Sequence, residues 1–174
     1  MAFVSAALQV AQADVFVDTS KDPTRLYRLM QIPELDIKVV RLFRDARGYV
    51  ASAKGRGKSI HDAAETWRKD QELIADVTSA LPSDRQFALK YEDLCSDLPA
   101  TLRRLHAFCE VEPTDPPSSL VSQEHHVLGN NMRAKGTINV RLDETWRSRL
   151  TDEEQESVLK VVGPMNAAFG YVSR

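Results

Sequence analysis

The stretch Ile37-Lys-Val-Val-Arg-Leu-Phe-Arg-Asp-Ala-Arg-Gly-Tyr-Val-Ala-Ser52 decides the fold, because its two halves carry different periodicities. Ile37, Val39, Val40, Leu42 and Phe43 make a short β-branched and aromatic run of the kind that suits a strand buried in a parallel sheet. Alternation is imperfect, so both faces of this strand are expected to be covered. From Ala46 onward, Ala46, Tyr49, Val50 and Ala53 recur at helical spacing. Asp45 stands between the halves as a natural N-cap, its carboxylate able to accept from the unpaired amides of the first turn. Arg44 therefore sits at the carboxyl end of a strand, where ligands of open α/β sheets bind.

Ser52 follows Arg44 by eight residues, about two helical turns or ~12 Å of rise. A guanidinium offers paired planar donors and a Ser hydroxyl a third. Together they suit a phosphate monoester, with the helix N-terminus adding favourable potential. The plainer reading is that Arg44 closes its strand in a surface ion pair and Ser52 fills a helix; these two residues alone leave both open.

The segment resembles the 3′-phosphate-binding stretch of sulfotransferases that use 3′-phosphoadenosine 5′-phosphosulfate (PAPS). In that family a strand is followed by Arg-Asp-x-Arg and, eight residues after the first Arg, by a Ser. The resemblance runs from Val15 nearly to the C-terminus. It implies an α/β fold with a P-loop-NTPase-like parallel sheet flanked by helices. It implies PAPS as sulfuryl donor, a hydroxyl or amine acceptor, and Arg44 and Ser52 as ligands of the 3′-phosphate.

The chain has 174 residues, 43% hydrophobic and 28% charged, which suits one soluble domain with a sizeable core. Lys and Arg number 23 against 25 Asp and Glu, a formal charge of −2, so neither a general polyanion surface nor a nucleic-acid partner is implied. Cys95 and Cys109 are too few for a disulfide framework and lack zinc-ligand spacing; two buried thiols in a reducing, cytoplasmic setting are expected.

The opening residues resemble a signal peptide only at a glance. They have no basic start, Gln9 interrupts the apolar run, and Phe3, Ala6, Ala7, Val10 and Ala11 fall at helical spacing, which predicts an amphipathic helix. No stretch approaches the ~20 apolar residues that cross a bilayer.

Val15-Phe-Val-Asp18 reads as a strand, turned by Thr19-Ser-Lys-Asp-Pro-Thr-Arg25 into a helix from Pro23 to Gln31. Lys21 then lies at a strand end, either as part of a capping loop or placed to neutralise charge on a leaving phosphate or transferred sulfuryl group. In the sulfotransferases the matching loop carries a catalytic basic residue, and Lys21 resembles that position.

Ser52 to Ser59, ending Gly55-Arg-Gly-Lys-Ser59, differs from the phosphate-loop pattern G-x-x-x-x-G-K-S only at its first residue. A phosphate loop begins at a strand end, whereas Asp45 to Ala53 reads as helix. A basic loop between helices is expected instead, with Ser59 capping a long helix whose apolar face is Ile60, Ala63, Ala64, Trp67, Ile74, Val77 and Leu81. Phe87-Ala-Leu-Lys-Tyr91 is a further strand, and a helix follows from about Pro99 to Cys109. Tyr-Glu-Asp-Leu, from Tyr91, is the second motif of the resemblance. In the family this Tyr approaches the adenine; a core Tyr with a bonded hydroxyl is the alternative.

His125 and His126 lack partners at metal-ligand spacing, and no metal is expected. Gly129-Asn-Asn-Met-Arg133, and Trp146 ahead of Leu150-Thr-Asp-Glu-Glu154, resemble the closing part of bacterial and carbohydrate-type sulfotransferases. Arg133, Lys135 and Gly136 resemble the basic loop over the 3′-phosphate, although Ala134 separates the two basic residues here. Thr151 and Glu154 form a capping box for the last helix, in which Pro164 is expected to cause a kink.

The family's other signature, a Gly, Ser and Thr rich loop gripping the 5′-phosphosulfate, has no counterpart here. The resemblance thus implies a single domain over residues 1–174, incomplete at its N-terminus, with open sheet edges that favour self-association or a missing N-terminal half. Two other functions stay open: a non-catalytic nucleotide-binding module of the same fold, and an ATP-dependent phosphotransferase built on Ser52 to Ser59 and Lys58.

Overall fold

The computed structural model describes residues 2–115, 120–121, 137–138 and 140–171. Helix α1 (Ala2–Ala11) is followed by coil, α2 (Pro23–Leu29), strand β1 (Val39–Phe43), α3 (Ala46–Lys54) and α4 (Ile60–Thr78). A short 3₁₀ turn leads into β2 (Gln86–Lys90), then α5 (Tyr91–Ser96) and α6 (Leu98–Cys109). The two-residue strands β3 (Leu120–Val121) and β4 (Thr137–Ile138) pair antiparallel, and α7 (Trp146–Arg149) and α8 (Asp152–Ala168) complete the order. The fold is α/β, a small parallel sheet flanked by helices.

Strands β1 and β2 pair in parallel from Val39 opposite Gln86 to Phe43 opposite Lys90, with α3 and α4 as the crossover between them. The core lies on one side of this sheet, where α3, α4 and α8 converge. Ala46, Val50 and Ala53 of α3 meet Ala63, Ala64 and Trp67 of α4 and Val158 and Val162 of α8. Small residues on α3 and α4 let the two backbones approach, and the branched side chains of α8 fill the groove between them. Ser59 caps α4 through its bond from the Asp62 amide, and Thr151 with Glu154 forms the expected capping box on α8, which continues through Pro164.

Three expectations are corrected. Residues 15–18 are coil, not strand: Val15 and Val17 are exposed, and no described strand lies beside them to take their backbone bonds. Lys21 consequently does not stand at a strand end. Strand β1 is covered on one face only. Val39, Arg41 and Phe43 turn toward the helices, with Phe43 stacked 4.7 Å from Phe169 and the Arg41 guanidinium 4.9 Å from the same ring. On the other face Phe87 of β2 packs at 5.3 Å on Phe108 of α6, whereas Val40 and Leu42 stay 40% and 55% exposed. The described helices on that face reach β2 and stop short of β1. Helix α1 forms as its spacing predicts, with Phe3 and Val10 exposed and Phe3 meeting only the edge of Phe16 among the described rings. Cys95 and Cys109 are free thiols, half-buried rather than buried.

Candidate functional site at the carboxyl ends of the strands

Because Phe43 and Lys90 close the parallel ladder side by side, the next residues, Arg44 and Tyr91, leave the sheet together at its carboxyl end. The Arg44 side chain runs along the first turn of α3: a Cβ built on Gly48 would lie 3.7 Å from both Arg44 Cδ and Nε. Its guanidinium is half-buried and forms no hydrogen bond or ion pair among the described residues. Burial pushes it below its ordinary pKa; Asp143, Tyr91 and Glu92 oppose that shift and the like charge of Arg56 adds to it. The result is a positive group partly stripped of water, with carboxylates nearby but none in ion-pair contact among the described residues.

Ser52 projects from α3 two turns after Arg44, and its Oγ accepts a 2.8 Å hydrogen bond from Nη1 of Arg56. That bond uses an acceptor lone pair of the hydroxyl and leaves its O–H able to donate to a ligand oxygen. The N-terminus of α3, by contrast, offers no open amides. The Ala46 amide donates to Asn166 Oδ1 at 3.1 Å, the Arg47 amide to Asp45 Oδ1 at 2.9 Å, and the Gly48 amide to the Asp45 carbonyl at 3.0 Å. The expected contribution of this helix end to anion binding is therefore corrected. Its donors are spent on the cap, and Asp45 already brings a carboxylate there.

Asp45 is itself held by Arg47, whose Nε lies 3.1 Å from both carboxylate oxygens and whose Nη2 lies 2.6 Å from Oδ2. The guanidinium carbon of Arg47 also stands 4.2 Å from the centre of the Trp146 ring, and Arg147 approaches the same ring at 4.5 Å. This buried pair builds the junction and shapes the wall behind Arg44.

Tyr91 opens α5, and its hydroxyl donates to the Arg141 carbonyl at 2.9 Å and accepts from the Asp143 amide at 3.1 Å. Burial raises the phenol, the Cys95 thiol adds to the rise, and the Asp143 amide opposes it. The hydroxyl thus ties residues 141–143 to the strand ends, and only the ring remains for a ligand. Beside Arg44 and Tyr91 opens a cleft of ≈ 320 Å³ lined by Asp45, Glu92, Asp143, Trp146 and Tyr171 among others. Arg44, Ser52 and Tyr91 do not line it. Its four carboxylates, Asp45, Glu92, Asp143 and Glu144, outnumber the guanidiniums of Arg47 and Arg147 that share the lining, which makes it a poor place for a dianion.

The model of the family described as Sulfotransferase family matches residues 2–116, about two thirds of the chain. The chain belongs to the sulfotransferase family. No curated protein and no solved structure matches it.

Of the residues the sequence singled out, the structure brings Arg44 and Tyr91 together at the strand ends and sets Ser52 farther along α3. Lys21 is exposed, in a left-handed conformation with φ of 59°, and makes no recorded contact with them among the described residues. Arg133, Lys135 and Gly136, like His125 and His126, lie outside the described residues. Ser52 falls inside α3 and residues 55–59 join two helices, so the strand that a phosphate loop must follow is absent there and the phosphotransferase reading loses its geometry. Two participants were not foreseen. Asn166 caps α3 from 120 residues away, and nothing local signals it. Arg56 stands four residues after Ser52, a spacing visible in the sequence, but its contact depends on the chain continuing to turn past the end of α3.

Proposed function

We propose that this sulfotransferase chain holds the 3′-phosphate of PAPS between Arg44 and Ser52, on a P-loop-NTPase-like sheet, and serves transfer of the sulfuryl group to a hydroxyl or amine. The observation that carries this reading is the Arg44 guanidinium, half-buried at the carboxyl end of a parallel strand, with no hydrogen-bond or ion-pair partner among the described residues. A phosphate monoester supplies the charge that this group lacks, and the Ser52 O–H adds a third donor.

In the reaction the acceptor oxygen or nitrogen forms a bond to sulfur as the bond from sulfur to the phosphate oxygen breaks. Adenosine 3′,5′-bisphosphate leaves with the electron pair, and the acceptor proton passes to a base. Arg44 and Ser52 fix the nucleotide, the Tyr91 ring borders the adenine, and Arg133, Lys135 and Gly136 close over the 3′-phosphate. Lys21 is assigned to the charge developing on the bridging oxygen. The free Cys95 and Cys109 thiols support a cytoplasmic setting, and among the described residues no helix is long and apolar enough to cross a membrane. The exposed Val40 and Leu42 are the surface on which self-association would draw.

Calorimetry with adenosine 3′,5′-bisphosphate and adenosine 5′-phosphate tests the site. Charge-assisted hydrogen bonds are worth ~1.5 to 3 kcal/mol each, so the bisphosphate should bind at least about tenfold more tightly. Arg44→Ala should remove most of that preference, and Ser52→Ala less. Equal affinity of the folded, unaltered chain for both nucleotides refutes the assignment. A sulfate-transfer assay then separates turnover from the second reading, a binding module without catalysis. Lys21→Ala should lower kcat while leaving bisphosphate affinity unchanged.

A further inference from the structure

Helix α3 carries more of this site than the Arg44 and Ser52 pair. Gly48 and Ser52 lie about one helical turn apart on α3, with Arg44 just ahead of its N-cap and Arg56 just past its C-cap. The Arg56 amide donates to the Ala53 carbonyl at 2.9 Å, so the chain is still turning when it reaches Arg56. From the N-terminal end, Arg44 folds forward over position 48, which is Gly and lets its Cδ and Nε lie against the helix. From the other end, Arg56 reaches back one turn and donates to Ser52 Oγ.

Two neighbouring basic groups, Lys54 and Arg47, are otherwise engaged. Lys54 bonds both carboxylate oxygens of Glu154 at 2.7 Å and the Arg149 carbonyl at 3.2 Å. Arg47 is locked on Asp45. Arg56 has the neutral Ser52 hydroxyl as its recorded partner and no carboxylate among the described residues. Arg44, lying against Gly48, feels the like charge of Arg56 one turn beyond, and a dianion placed between the two guanidiniums relieves that repulsion.

We propose that Arg56 is a phosphate-binding residue, completing with Arg44 and Ser52 a two-arginine clamp that selects the dianionic 3′-phosphate monoester. This rests on the nucleotide reading above and assigns it a residue that the sequence motif does not contain. Arg44 approaches the phosphate from the strand side, Arg56 from the solvent side, and the Ser52 hydroxyl accepts from Arg56 while donating to the ligand. Arg56 is exposed, so its replacement leaves the core untouched.

The test measures the preference for adenosine 3′,5′-bisphosphate over adenosine 5′-phosphate in the full chain and in Arg56→Ala, Arg56→Gln and Arg56→Lys, each checked for folding by circular dichroism. The clamp requires Arg56→Ala and Arg56→Gln to reduce the preference about fivefold or more, with affinity for the 5′-phosphate unchanged and Arg56→Lys in between. If the unaltered chain discriminates and Arg56→Ala discriminates equally well, the role of Arg56 is overturned while the Arg44 site stands. Equal loss of both nucleotides also overturns it, because Arg56 would then not act at the 3′-phosphate. If the unaltered chain shows no preference, the nucleotide reading itself fails and the clamp falls with it.

Discussion

The carboxamide oxygen of Asn166, near the end of α8, accepts a 3.1 Å hydrogen bond from the backbone amide of Ala46, the first residue of α3. The Asn166 side chain is fully buried, and its Nδ2 has no partner among the described residues. The bond fixes the start of α3, and so the direction in which Arg44 leaves β1. Asn166→Ala strands the Ala46 amide in the core, at a cost of about 1–3 kcal/mol. Urea unfolding should show that loss. If the site depends on this anchor, the variant should also bind adenosine 3′,5′-bisphosphate more weakly at temperatures where it is still folded.

Gly48 reports on the path of Arg44. A methyl there meets Arg44 Cδ and Nε and Trp146 Cδ1 at 3.7 Å, an ordinary contact. Gly48→Ala should therefore stabilise the chain by about 0.5–1 kcal/mol through helix propensity, with nucleotide affinity retained. A larger Gly48→Leu substitution should displace Arg44 and weaken bisphosphate binding. Unchanged binding by Gly48→Leu would mean that the Arg44 side chain does not follow α3.

How much of this was legible follows from the range of the forces involved. The strand-to-helix junction at residues 43–46, the caps at Asp45, Ser59 and Thr151, and the Ala63, Ala64 and Trp67 part of the apolar face of α4 are local patterns, and each is found where the sequence put it, whereas Leu81 lies beyond the end of α4 at Thr78. Val15 and Val17 have the same local character as β1, yet form no strand, because a strand needs a neighbour and composition does not record one. Leu42 stays exposed for a similar reason: its hydrophobicity was readable, the reach of the covering helices was not. At the site, Arg44 and Ser52 were visible as a spacing. The contact of Arg56 with Ser52 needed the turn beyond α3 to continue, and the cap from Asn166 needed the whole chain to fold.

The loop before α2 carries a readable titration. Asp18 accepts from Arg25 Nε at 2.6 Å and from the Ser20 amide at 2.8 Å, and the Arg25 bond foremost lowers its pKa to about 2. The folded value lies below the ordinary 3.8, so the interaction is complete above about pH 4 and is lost as pH falls through that value toward 2. Carboxyl-carbon NMR should find Asp18 titrating near 2, and Arg25→Ala should return it close to the ordinary value. Because the pair is partly solvated, global stability should change little. A midpoint near the ordinary value in the unaltered chain would show that the loop holding Lys21 is not closed by this pair.

The Asp45 and Arg47 pair behaves differently, since both side chains are buried, 9% and 6% exposed, beneath the site. Removing Arg47 leaves the buried Asp45 carboxylate without its ion-pair partner, at about 3–5 kcal/mol, whereas replacing both with apolar groups of similar size is less costly. Arg47→Met should therefore destabilise the chain severely. Asp45→Ala should also destabilise it, since it removes the cap on the Arg47 amide as well as the ion pair. The double variant should recover a large part of the Arg47→Met loss while keeping the cap defect, which a double-mutant cycle in urea reads directly. Strict additivity of the two losses would mean that the charges are not coupled. Recovery of stability without recovery of bisphosphate affinity would show that the pair serves to hold the junction in the geometry that presents Arg44, a role distinct from its contribution to folding.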